Sequence, residues 1–415
     1  MSSSQANTAA SDAQPTFGVE WEFFLCYYHP STEEEHDEYA DAISTAYPGT
    51  IIIPFSIKGR TPASFHVRQE TIATLRQSGI DINGINDKGA IVTPPEGDGP
   101  QSSHRFYLNT AHGKYLRWSM MTDGSLHPTT LLAGRDASPN RQLLSWVGLE
   151  LISPAMRDEA ASYSELERVV DFIKARYRAR VNLACGLHVH TALGRQPVSL
   201  DALKQCAALL FAADSLVAEI HPRHRQENTF ARPIRTQSNA AVGWTAIDAE
   251  KSYNEAPSNQ YGWFCDRDPQ PEVRLRDAVR EIMACQSEGA IAWITATRYT
   301  SGNYYFVKFA LPNNDNPTLE FRQHEGTLDA QRMSAWARFC AGIFRYAVQD
   351  LTPAKLDEVV AFCEEAESDK SGKLYLYELL ESLGMAEQAR NLGLQPGMRT
   401  DPDDLVDMDK LTLND

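Results

Sequence analysis

The sequence predicts an α+β fold, a mainly antiparallel sheet with helices packed against it. Three observations lead there. First, several segments alternate apolar and polar residues with the period of two that a half-buried strand requires. Phe17, Val19, Trp21, Phe23 and Leu25 share one face of 17–25, and Gly18, Glu20, Glu22 and Phe24 the other. Second, other segments have helical spacing behind recognisable start signals, such as Ser199 ahead of a strongly apolar run. Third, the two kinds of segment mix without the regular strand–helix–strand rhythm of a doubly wound fold.

In chain order, 1–15 is rich in Ser, Ala and Gln and reads as a disordered leader. After the first strand, an acidic stretch at 29–41 reads as an exposed loop or helix start. A helix over 64–79 ends at Gly79. The Gly-, Pro-, Asn- and Ser-rich stretch 82–113 reads as mostly loop. Strands are expected at 115–121, before the turn Asp123-Gly124-Ser125, and at 146–152, stopped by Ser153-Pro154. Ser164–Glu167 has the form of a capping box, with Leu166, Val169, Val170, Ile173 and Tyr177 as the packed face behind it. A strand at 183–191 precedes the helix capped by Ser199, which runs to about Glu219. A basic loop at 221–237 and an irregular polar stretch at 248–275 follow. Strands are expected at 304–311 and 317–323, and a helix at 331–349. After Thr352-Pro353 the composition turns to charged helix and then to an acidic tail. The reading is a catalytic domain over 16–350 with an extension over 351–415.

The bulk properties narrow the function. The 415 residues carry a formal charge of −16, which argues against a general nucleic-acid binder and against attraction to anionic membranes. Seven scattered cysteines without a Cys-x-x-Cys pair fit neither a disulfide framework nor a zinc knuckle, and point to a reducing compartment. No apolar run is long enough to span a bilayer. A cytoplasmic protein is expected.

Four short apolar segments then carry polar residues on the expected strands: Glu20 and Glu22, Glu150 alone, His188 and His190, and Glu320 and Arg322. Residues i and i+2 of a strand share a face. Carboxylates on apolar strands need partners, and bound cations, imidazoles or a guanidinium supply them. Carboxylates suit Mg2+, imidazole among them suits Mn2+ as well, and Arg is a natural phosphate partner. Together these parts meet the needs of phosphoryl transfer. No P-loop and no Gly-x-Gly-x-x-Gly is present. Each pair taken alone has an ordinary surface explanation; it is their conjunction across some 300 residues that points to function.

The ordered segments Phe-Gly-Val-Glu-Trp-Glu-Phe, Trp118 through Asp123-Gly-Ser, Val-Gly-Leu-Glu-Leu-Ile-Ser-Pro, Cys-Gly-Leu-His-Val-His and Thr-Leu-Glu-Phe-Arg-Gln-His-Glu-Gly-Thr-Leu-Asp resemble the amidoligases. These are relatives of the glutamine synthetase and glutamate–cysteine ligase superfamily. The resemblance covers roughly 16–347. It implies a curved antiparallel sheet, as in the glutamine synthetase catalytic domain, lining a site for ATP and Mg2+ or Mn2+. It implies that ATP phosphorylates a carboxylate and that an amine displaces the phosphate to make an amide. By the same resemblance, Glu20, Glu22, Glu150, His188 and Glu320 are metal ligands, while His190 and Arg322 contact the transferred phosphate. The further metal carboxylate that follows the position of Glu150 in glutamine synthetase is replaced here by Ser153-Pro154, with Asp158 and Glu159 as stand-ins.

Outside these motifs, Arg225, Asn228 and Arg232 offer a hold for ATP phosphates or a substrate carboxylate, against an exposed charged loop as the plain alternative. Asp123 either positions the amine or serves the turn. Cys185, beside the His pair, is read as a small packing residue ahead of a catalytic thiol, and 367–378, which echoes a calcium loop, as a turn between helices. The substrates expected are a small-molecule or peptide carboxylate and an amine. A metal-dependent hydrolase and an inactive binding protein on the same fold are the rival readings.

Overall fold

The alternating segment at the start of the chain folds into β1 (Thr16–Tyr28). The other main strands are β2 (Ser119–Thr122), β3 (Leu144–Ile152), β4 (Gly186–Ala192), β5 (Tyr304–Tyr305) and β6 (Leu319–Glu325). They belong to a computed structural model that describes residues 14–30, 32–55, 62–86, 88–92, 115–128, 144–194, 196–226, 228–255, 273–297, 302–311 and 317–399. The expected leader and acidic tail, and most of the loop at 82–113, lie outside these. The described residues divide into two units, one of 14–17, 188–325 and 335–399, the other of 18–187 and 326–334.

In the second unit β1 pairs antiparallel with β3, and β3 antiparallel with β2. β1 also pairs in parallel with Ile51–Ile52 and antiparallel with Ala179–Arg180. The simple alternation of β1 stops at Glu22. From Phe23 to Cys26 every residue is buried, because neighbours cover both faces. Helices Ala63–Gln77 and Ala160–Arg176 pack here through Val67, Ile72 and Leu75 and through Leu166, Val169, Val170 and Ile173. Arg68 donates to the Met120 carbonyl, and the Trp118 indole donates to Glu165 Oε1 at 2.8 Å, so each helix is also pinned by a polar bond to β2 or its lead-in.

Several sequence expectations are corrected in this unit. The helix expected to start at a Ser164 capping box begins one turn earlier, at Ala160, because Ser162 and the fully buried Tyr163 extend its packed face upstream. Ser164 therefore lies inside the helix. The strand expected from 115 begins at Ser119. The acidic stretch is a helix, Glu33–Ala46, whose first turn is closed by Thr32 accepting from the Glu35 N–H at 3.1 Å. The expected helix stop at Gly79 holds: its φ of +82° continues the chain in a region other residues rarely adopt.

In the other unit the strand order is β5–β6–β4, with β5 and β6 antiparallel. The Thr191 hydroxyl donates to the Leu319 carbonyl at 3.3 Å, one tie between β4 and β6. The apolar helix Leu200–Ala218 forms as expected, its Ser199 cap accepting from the Ala202 N–H at 3.2 Å. It is wrapped by Leu275–Ala284 and Pro353–Ser368. Trp336 stacks on Phe339 and meets His221, His324 and Phe321 edge-on or tilted.

Here the expected strand 304–311 is the clearest correction. Only Tyr304 and Tyr305 are strand, and Val307–Ala310 is a helical turn. The buried residues Phe306, Val307, Phe309 and Ala310 follow helical rather than alternating spacing. The helix expected at 331–349 runs Ala330–Arg345 and closes in a π-turn, Tyr346–Asp350. Among the described residues no helix is long and apolar enough to cross a membrane.

Candidate functional site

The carboxylates of the second unit come together through strand register. Glu20 and Glu22 share a face of β1, and Glu22 sits directly opposite Glu150 on β3. Glu22 is buried, Glu20 and Glu150 half-buried. Carboxylate oxygens of Glu20 and Glu150 come within 4.8 Å of each other. Like charges facing each other across a sheet are destabilising unless something neutralises them. One local contribution is visible: the Gly186 N–H donates to Glu22 Oε2. Backbone approaches closely around this residue. A Cβ on Gly326 would stand 2.4 Å from the Cys185 side chain and 3.2 Å from the Glu22 carbonyl, so only glycine fits. The chemistry of this donor set, three carboxylates on one sheet face, fits a hard divalent cation.

The other unit assembles the imidazoles and the cations around one buried carboxylate. The Glu320 side chain is 4% exposed. Arg322, two residues along β6, donates to its Oε1. His188 Nδ1 lies 3.6 Å from the same oxygen, and Lys308 Nζ lies 3.6 Å from Oε2. Lys308 also donates to His190 Nδ1 at 3.1 Å, and the Thr318 hydroxyl is 3.2 Å from that nitrogen. Both His190 and Glu320 thus belong to one polar cluster, with ligand atoms within 4.8 Å. Glutamate, imidazole and a guanidinium in one place fit a divalent cation and a phosphate together.

The basic loop supplies support more than reach. Arg225 is 3% exposed. Its guanidinium donates to the carbonyls of Arg322 (2.7 Å) and Gln323 (3.2 Å), so it braces β6 from behind. Asn228 accepts from the Phe230 N–H with its side chain, a turn contact. Arg232 Nη1 donates to Gln237 Oε1, and the Arg232 carbonyl accepts from the Asn303 N–H. The Asn303 carbonyl in turn accepts from the Arg322 N–H at 2.8 Å. In the second unit Asp123 accepts from the Ser125 N–H, as a turn residue does. Asp158 accepts from the Tyr163 hydroxyl at 2.6 Å, and Glu159 precedes the helix that starts at Ala160. Cys185 is fully buried, its thiol facing Asn182 Oδ1 at 3.5 Å, which is the packing role read from sequence.

Lys308 is the residue that sequence reasoning missed. The signal was present: it is the one charged side chain in the apolar run 304–311. Placing that run in a strand hid it, since a strand would have given the lysine an ordinary outward position. Behind the same cluster lies a second missed group, Asp214, 1% exposed on helix Leu200–Ala218. It accepts from the Asn303 amide and from the Arg235 N–H (2.9 Å), and burial pushes its carboxyl up to about 6 against the pull of those donors.

No curated protein and no solved structure was found to match this chain. A family does. It is described as "Putative amidoligase enzyme", it matches residues 14–344, and all the strands above fall within that span. The chain belongs to this amidoligase family.

Proposed function

We propose that the protein is an ATP- and divalent-metal-dependent ligase that joins a carboxylate to an amine through an acyl phosphate. The observation that carries this reading is the cluster on Glu320. A buried carboxylate held by Arg322, Lys308 and His188 is an expensive arrangement for stability alone, since such groups are often replaceable by apolar side chains at no loss. It suits a site that must handle mobile negative charge.

Glu20, Glu22 and Glu150 in one unit, and His188 and Glu320 in the other, are the residues that would ligate Mg2+ or Mn2+, which when bound neutralises phosphate charge. Arg322 and His190 face the transferring phosphoryl group. The guanidinium offers a planar fork of donors, the imidazole a single one. A substrate carboxylate oxygen attacks the γ-phosphorus of ATP, and ADP leaves with the bridging oxygen. The amine nitrogen then attacks the acyl carbon, phosphate leaves with the electron pair of the C–O bond, and the nitrogen releases a proton. The protein contributes position and fixed charge. Arg225 and Asn228 serve by bracing β6 and its neighbouring loop; Arg232 and Asp123 stand ready for phosphate and for the amine.

The test is phosphate release from ATP across a panel of amino acids, polyamines and peptides, with Mg2+ or Mn2+. Release should require both an acid and an amine. Glu20→Gln and Arg322→Ala should each lower turnover by about 10³-fold or more while the fold, followed by circular dichroism, persists. Near-wild-type turnover in both variants would sink the proposal. Hydrolysis of an amide without ATP, with zinc in the purified protein, would favour the metal-dependent hydrolase instead.

A further inference from the structure

We propose that Lys308 is a positioning residue that sets the tautomer of His190, the second histidine of the His-x-His pair of β4. Lys308 fixes His190 as a hydrogen-bond donor through Nε2. The inference rests on the reading of this cluster as a metal and phosphate site.

The argument is a count of donors and acceptors. A lysine ammonium has three donors and no acceptor. Lys308 Nζ stands 3.1 Å from His190 Nδ1, so that nitrogen must offer its lone pair and the ring proton must sit on Nε2. The Thr318 hydroxyl, 3.2 Å from the same nitrogen, decides nothing, because a hydroxyl donates or accepts equally well. A proton on Nδ1 would satisfy Thr318 but would face the ammonium donor to donor. Lys308 is therefore the group that sets the tautomer.

His188 is placed differently. Its Nδ1 lies 3.6 Å from Glu320 Oε1, an ion-pair distance too long for a hydrogen bond, so the carboxylate does not fix which ring nitrogen carries the proton. Two histidines two residues apart thus meet different neighbours, His190 an ammonium and His188 a carboxylate. Lys308 also contacts Glu320 at 3.6 Å, which holds the ammonium beside the His190 ring.

Lys308 can do this because of the helical turn at Val307–Ala310. Val307, Phe309 and Ala310 are buried there, and the lysine is left with 29% of its side chain exposed and its ammonium against β4 and β6. Arginine, also a pure donor, should substitute in part; an apolar side chain of similar length should not.

The experiment reads the rings directly. The full-length chain with 15N-labelled histidine, free of metal, is examined by long-range 1H–15N correlation, which separates protonated from unprotonated ring nitrogens. Signals are assigned by difference with His188→Gln and His190→Gln. The wild type should show His190 protonated on Nε2. Lys308→Met should convert His190 to a mixture of tautomers, Lys308→Arg should retain the wild-type form, and Thr318→Val should leave it unchanged. In ATP turnover with Mg2+, Lys308→Met should lower kcat by about tenfold with KM for ATP little altered, and Lys308→Arg should recover most of that loss. A wild-type His190 protonated on Nδ1, a Lys308→Met spectrum identical to wild type, or a tautomer lost in Thr318→Val alone would each overturn the inference. A wild type with His190 protonated on Nε2 but no ATP breakdown with any acid would support the role of Lys308 in ordering that ring and remove the ligase reading.

Discussion

Glu320 and Glu378 each face a lysine, and the two pairs differ in almost everything else. Lys373 reaches Glu378 Oε1 at 2.9 Å on the surface, where the side chains are 30% and 24% exposed. Glu320 is nearly sealed and carries Lys308, Arg322 and His188 at once. Lys373 lies in the turn between helices Pro353–Ser368 and Leu376–Ser382 and Glu378 in the first turn of the second helix, within the segment whose sequence echoes a calcium loop. Its lysine supplies the positive charge that such a loop would otherwise seek. An exposed pair of this kind contributes well under about 1 kcal/mol and tolerates change. A buried carboxylate with several cations is a different object: removing any one member leaves the others without compensation. Burial, and not the identity of the paired residues, separates a turn from a site.

The comparison breaks most sharply at Glu320. Glu320→Gln should abolish ATP-dependent phosphate release, by about 10³-fold or more, and should also lower stability by a few kcal/mol, roughly 2–4, because Arg322 and Lys308 lose their shared anion. Turnover assays and urea denaturation measure the two effects separately. Retention of turnover within tenfold would show that the buried cluster is structural and would erase the contrast with Glu378.

Asp214 sharpens it from another side, as a buried carboxylate served mainly by neutral donors. Its carboxyl rises from an ordinary 3.8 to about 6 on folding, chiefly because burial disfavours the charge. The folded chain thus holds this proton more tightly than the unfolded chain. The contribution to stability is complete below about pH 3.8 and is lost as pH rises through about 6, on the order of 3 kcal/mol in all. Asp214→Asn should remove that descent from the pH dependence of stability, measured as the wild-type-minus-variant difference in urea unfolding between about pH 4 and pH 7. A difference independent of pH would mean that the carboxyl is not perturbed as its burial implies. Through Asn303, which bonds both Asp214 and the backbone of Arg322, the variant should also slow turnover modestly, by less than about tenfold.

Much of the two candidate clusters was legible in the sequence because strands advertise their faces. Glu20, Glu22, His188, His190, Glu320 and Arg322 sit at i, i+2 positions in apolar runs, and a period of two is readable without coordinates. Ser199 and Gly79 announced helix ends for equally local reasons, a side-chain oxygen and a missing Cβ. Lys308, Asp214 and the bracing role of Arg225 were not legible. Each acquires its role from a partner far along the chain: His190 for Lys308, Asn303 for Asp214, and the Arg322 carbonyl for Arg225. The misread helical turn at 307–310 compounded the loss, since four residues are too few for a period to distinguish strand from helix.

The smallest effect is expected at the surface pair. Asp369 there is tied by the Ser371 hydroxyl and N–H and by the Tyr375 hydroxyl, which hold its carboxyl down to about 2. Its oxygens are thereby already engaged by donors on neighbouring residues, and Glu378 is engaged by Lys373 and by the Gly397 N–H. A calcium ion would have to displace all of these for a loop with a lysine at its centre. Calorimetric titration should therefore show no calcium binding tighter than about 1 mM, the weak end for such loops. Lys373→Ala should change stability by less than about 1 kcal/mol and leave ATP turnover intact. Were Lys373→Ala to create a calcium site with a dissociation constant of about 10 μM, the lysine would be a plug in a competent loop. The contrast with Glu320 would then reverse, because the exposed pair would be the one that holds a cation site closed.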